Sequence, residues 1–115
     1  MQSECIVCRR ISPKTIFRIG HTLYNGKLDK QNIHELCVLV MKTINYVDSK
    51  KRIFFCGRGE TPLLGGLFYL YGLICREVYL TQEMIAYYLS IDPVTVRENY
   101  KRWIESFPKL FGLGD

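Results

Sequence analysis

LTQEMIAYYLSIDPVTVRENYKRW, Leu80 to Trp103, reads as two short helices joined by a tight turn. Thr81 can cap the first, because a hydroxyl accepts one of the N–H groups that an opening helical turn leaves without a partner. Asp92 can cap the second. Pro93 suits the position that follows, where no N–H is needed and φ is already helical. The pair is a helix-turn-helix pattern.

Stepping about 100° per residue from Pro93 puts Val96, Tyr100, Trp103, Ile104 and Phe107 in one apolar sector, the expected core face. Val94, Arg97, Glu98 and Lys101 fall side by side on the neighbouring sector, with Thr95, Asn99 and Arg102 further round. That face offers cations and has little to bury. In a helix-turn-helix the second helix lies in the DNA major groove with its first turns near base edges. Arginine suits the paired acceptors of guanine, and valine suits a thymine methyl. The competing reading is a solvated basic face on a helical protein that never meets DNA.

Working outward, Ser12-Pro13 is another cap and first helical residue. Ile16, Ile19 and Leu23 follow at helical spacing until Asn25-Gly26 stops the segment. Asp29 opens a longer helix on which Ile33, Leu36, Cys37, Val40, Met41 and Ile44 form an amphipathic stripe. Asp48 to Glu60 reads as a basic loop containing Lys50, Lys51, Arg52 and Arg58, with Ile53-Phe54-Phe55 needing a place to pack. Thr61-Pro62 then opens a third helix to Arg76 that is apolar all round and expected at the centre. Gly65 and Gly66 cost that helix up to about 1 kcal/mol each against alanine, so close approach of a neighbour is expected there. The reading is all-α: five helices, the third central and the last two a helix-turn-helix.

With 115 residues, 48% hydrophobic and 23% charged, the chain is expected to form one globular domain, 12–115, behind a short N-terminal segment, 1–11. The formal charge of +5 favours polyanionic partners. The longest apolar run, Leu63 to Cys75, falls short of the roughly 20 residues of a membrane span, and the first residues do not read as a signal peptide. Intracellular placement is expected, in the nucleus or in the cytoplasm of an archaeon or virus-infected cell. Cys5, Cys8, Cys37, Cys56 and Cys75 show no disulfide rhythm, so no structural disulfide is expected.

Cys5-x-x-Cys8 is half of a zinc ligand set, and no second pair follows. His34 and Cys37 stand three apart on a helix, but Cys37 also falls on the apolar stripe. These make Cys5 and Cys8 weak metal candidates, with no other cofactor expected. His21 and His34 have no nucleophile or acid beside them, and Gly57-Arg58-Gly59 lacks the lysine of a phosphate loop. No catalytic activity and no small-molecule substrate are expected.

Gly57 to Pro62 before the third helix, Gly65-Gly66 and Tyr69 within it, Thr81-Gln82-Glu83, and Val94-Thr95-Val96-Arg97 with Tyr100-Lys101 resemble the C-terminal cyclin repeat of transcription factor IIB and archaeal transcription factor B. The resemblance covers Ser12 to Leu110, and Val94 to Arg97 is its specific part. It implies a cyclin-like fold, and it implies Val94 and Arg97 as base readers beside the TATA element. Thr95, Lys101 and Arg102 follow from the wheel as phosphate contacts, and Lys50, Lys51, Arg52 and Arg58 from the loop. The chain has room for one repeat, whereas the full factor has two cyclin repeats, a zinc ribbon and a linker. The expected partner is double-stranded DNA, with a TATA-binding protein or RNA polymerase as further partners. The alternative is a cyclin-like module that binds a regulatory protein without reading DNA.

Overall fold

The computed structural model describes residues 11–57, 59–75 and 80–112. Four helices start on the capping side chains named above. Helix α1, Pro13–Tyr24, opens on Ser12, whose hydroxyl accepts from the Thr15 N–H at 3.2 Å. Helix α2, Lys30–Lys50, opens on Asp29, whose carboxylate accepts from Asn32 N–H at 2.8 Å. Helix α4, Gln82–Leu89, and helix α5, Pro93–Ser106, open on Thr81 and Asp92, which accept from Met84 N–H at 3.1 Å and Val94 N–H at 2.8 Å. Helix α3 spans Glu60–Cys75. The chain is all-α, and among the described residues the only strand-like pairing is an isolated bridge between Asn25 and Leu28.

Helix α3 touches each of the other four α-helices. Its buried residues, Leu63 to Phe68 and Leu70 to Gly72, run around the whole circumference. Each large aliphatic or aromatic side chain so buried contributes roughly 1.5–3 kcal/mol, which offsets the two glycines many times over. The glycines are where neighbours come closest. A Cβ on Gly66 would lie 2.7 Å from the backbone N of Tyr100 and 2.8 Å from the carbonyl carbon of Asn99, so α5 crosses α3 with nothing between the two backbones. A Cβ on Gly65 would meet only methyl groups, with Leu89 Cδ1 the nearest at 3.2 Å. Both glycines are thus occupied inside the molecule.

Two expectations about element boundaries are corrected. Helix α3 begins at Glu60, so Thr61 and Pro62 lie inside its first turn, where proline costs no hydrogen bond. The stretch after Asp48 is not a loop throughout: α2 continues to Lys50, and Arg52–Phe55 forms a 3-10 helix. Phe54 and Phe55 pack on Trp103, with ring centroids 4.6 and 6.5 Å away, whereas Ile53 is 71% exposed. A second 3-10 helix, Pro108–Phe111, follows α5 and returns Phe111 to Trp103 at 6.3 Å. The expectation of no disulfide is overturned, because Cys56 is disulfide-bonded. Cys37 is a buried free thiol. No helix among the described residues is long and apolar enough to cross a membrane.

Candidate nucleic-acid interface

The turn between α4 and α5 is made by Ser90, which sits in the left-handed region at φ 58 and ends α4. Ile91 N–H then donates to Ala86 C=O at 3.0 Å, the six-to-one bond of a Schellman ending. Ile91 packs back over Gly65. With Asp92 capping the next helix at once, the two helices are joined in as few residues as a helix-turn-helix needs.

The inner side of α5 is fixed firmly. Val96 and Trp103 are fully buried, and the indole Nε1–H donates to the Leu63 carbonyl at 3.0 Å. Tyr100 is half-buried rather than enclosed, its ring edge-on to Tyr69 at 4.9 Å. Asn99 is half-buried against the molecule, with its amide donating to Thr95 C=O at 2.9 Å and its Cβ beside Gly66.

The outer side carries the residues singled out by the helical wheel. Val94 is 44% exposed, and Arg97, Lys101 and Arg102 are exposed, while Thr95 is half-buried. The face is not purely basic. Glu98, Lys101, Arg102, Glu105 and Ser106 line one shallow depression, so acids alternate with bases along the second half of α5. Only the first turns, with Val94 and Arg97, present an apolar group and a cation together.

The other proposed phosphate contacts are elsewhere. The Lys51 ammonium lies 5.9 Å from the ring of Phe107, the residue that ends α5. At 1.5 Å per residue that end is about 20 Å along the axis from Val94. Lys50 sits over Tyr46 at 5.9 Å, and Arg52 pairs with Asp48 at 3.7 Å. The cations of the α2 end and the residues at the start of α5 are therefore two surfaces. Arg58, Cys5 and Cys8 lie outside the described residues. His34 is exposed against the ring of Phe17, while Cys37 is buried toward Ile16 C=O, so the structure does not bring the two together as ligands. Among the described residues no cluster of His, Cys, Asp or Glu is arranged to hold a metal.

One contact near the helix-turn-helix was not legible from sequence. Lys27, in the α1–α2 turn, donates to the hydroxyl of Tyr88 on α4 at 2.9 Å and lies 4.4 Å from its ring centre. Beside it Tyr87 is 82% exposed, with its ring 5.6 Å from that of Tyr88. A lysine far from α4 in sequence and pinned by tertiary structure leaves no periodic signal. Comparisons with protein families, curated proteins and solved structures find no match to this chain.

Proposed function

We propose that this chain is a DNA-binding transcription regulator that reads duplex DNA in the major groove with the start of α5. The observation that carries the reading is the pairing of Val94 and Arg97 on one exposed face of a capped helix whose other face is locked to α3. An apolar side chain left 44% exposed beside an arginine one turn on has no role in the core. It matches what a thymine methyl followed by a guanine asks for. A rigid seat for α5 favours recognition, because little ordering then remains to be done on binding. Lys101 and Arg102 would take phosphates, and Lys27 with Tyr88 would take them from the α4 side, where the first helix of such a pair crosses the backbone. The resemblance to factor B adds a promoter setting and a TATA-binding protein as a partner.

The test is selection from a randomised duplex pool followed by mobility shift, with and without a TATA-binding protein. A selected sequence should lose about 1–3 kcal/mol of binding with Arg97→Ala and relax its preference at one base pair. Lys101→Ala should weaken all duplexes alike and flatten the salt dependence by about one phosphate's worth. Failure to enrich any sequence, with or without the partner, would remove the reading.

A further inference from the structure

The C-terminal end of α5 carries a second surface that the DNA reading does not use. A groove of about 560 Å³ is lined by Tyr46, Ser106, Phe107, Pro108, Lys109 and Leu110. Tyr46 is 48% and Leu110 37% exposed. The 3-10 helix whose Phe54 ring packs on Phe107 at 5.2 Å lies beside Phe107. Grouped apolar side chains in water mark a contact surface more often than isolated ones do.

Cations border the groove. Lys109 lines it, the Lys50 ammonium lies 5.9 Å from the Tyr46 ring, and the Lys51 ammonium lies 5.9 Å from the Phe107 ring. Among the described residues, no acid lines the groove. Asp48 is paired with Arg52, and Glu105 belongs to the neighbouring depression, which shares only Ser106 with the groove.

We propose that this groove docks an acidic amphipathic helix of a partner protein, with its apolar side chains between Tyr46, Phe107 and Leu110 and its carboxylates on Lys50, Lys51 and Lys109. Charge complementarity selects this occupant over the others. A DNA backbone supplies negative charge but nothing apolar to cover Tyr46 and Leu110. A second copy of the chain, packed about a two-fold axis, would set the same lysines against themselves. An acidic amphipathic helix satisfies both parts, and it arrives with its own backbone hydrogen bonds made. The apolar anchors hold the complex, and the lysines govern encounter rate and salt dependence. The inference stands whether or not the start of α5 reads DNA.

The experiment is fluorescence anisotropy on the full chain with a labelled helical peptide of about five turns. The peptide carries Leu and Phe at positions i, i+3, i+4 and i+7 and Glu elsewhere. Two controls replace Glu by Lys, or the apolar face by Ala. The acidic amphipathic peptide should bind at least about tenfold more tightly than either control, and Lys51→Glu or Leu110→Asp should each remove about tenfold. Lys51 is exposed, so its variant serves even where Leu110→Asp lowers the melting temperature. Equal binding of all three peptides overturns the proposal, as does parental affinity in both variants. Self-association abolished by Leu110→Asp would assign the groove to a second copy instead. A loss of duplex binding in Lys50→Ala/Lys51→Ala/Lys109→Ala, with no peptide bound by the parent, would assign it to phosphate.

Discussion

Substituting alanine at Gly66 and at Gly65 separates two kinds of close packing on the same helix. At Gly66 the new Cβ would sit 2.7 Å from Tyr100 N, about 0.7 Å inside the 3.4 Å at which ordinary contact begins, and 2.8 Å from Asn99 C. Both atoms belong to the α5 backbone, which Trp103 and Val96 hold in place, so relief requires moving the helix. Overpacking of this kind costs about 1–3 kcal/mol, and rigid backbone puts Gly66→Ala at the upper end. Better helix propensity returns up to about 1 kcal/mol, leaving a net loss of about 2 kcal/mol. For a domain of this length that lowers Tm by about 8 °C. At Gly65 the nearest atoms are Leu89 Cδ1 at 3.2 Å and methyls of Ile85 and Ile91 at 3.5 Å, which rotate aside. There the propensity gain survives, and Gly65→Ala should be neutral or stabilising by up to about 1 kcal/mol. Urea and thermal unfolding read these differences, with the single tryptophan as an internal probe because Trp103 is fully buried. Equal shifts for the two variants, or a Gly66→Ala protein as stable as the parent, would refute the direct backbone crossing.

Replacing Trp103 with phenylalanine removes the donor to Leu63 C=O and part of the aromatic cluster; the expected loss is about 2–3 kcal/mol by circular dichroism melts, and a loss below about 0.5 kcal/mol would count against that bond. The Tyr24 hydroxyl is buried with no hydrogen-bond partner among the described residues, so Tyr24→Phe should stabilise by about 1 kcal/mol at neutral pH. Burial, followed by the nearby Cys75 and Cys37 thiols, pushes Tyr24 from 10.0 up to about 12, and burial pushes Cys37 from 9.0 up to about 11. Both groups are neutral in either state well below pH 9, and as pH rises the unfolded chain sheds these protons first. Stability should therefore fall between about pH 9 and 12, by up to about 1.4 kcal/mol per pH unit for each group, and Tyr24→Phe should remove the part of that loss above pH 10. Ser90 holds a left-handed conformation that glycine adopts without penalty, so Ser90→Gly should raise stability by about 0.5 kcal/mol, and destabilisation would mean that its hydroxyl matters more than its backbone.

The helices were legible because their start signals are local. Ser12, Asp29, Thr81 and Asp92 each cap the helix they precede, and the wheel of α5 separates Val96 and Trp103 from Val94, Arg97 and Lys101 as the structure does. The crossing at Gly65-Gly66 was legible as a need for close approach, but not as a contact with α4 at one glycine and α5 at the next. A single helical turn is too short to show periodicity, which is why Arg52–Phe55 read as loop. The separation of the Lys50 to Arg52 cations from Val94 could not be read at all, since it depends on which end of α5 meets the end of α2. Asn99 looked outward on the wheel, yet the missing Cβ of Gly66 lets α5 come close enough to turn it in. Cysteine spacing likewise carried no sign of the bond at Cys56, because such pairing is decided by the fold and not by the interval.

The tie between Lys27 and Tyr88 joins residues 61 positions apart. It means that α4 and α5 are not a transferable cassette. Excised together, they would keep their caps and their turn, but α4 would lose its anchor on α1 and the turn after it, and α5 its seat on α3. A fusion or truncation that carries only residues 80–112 therefore inherits the sequence of α4 and α5 without the scaffold that orients them.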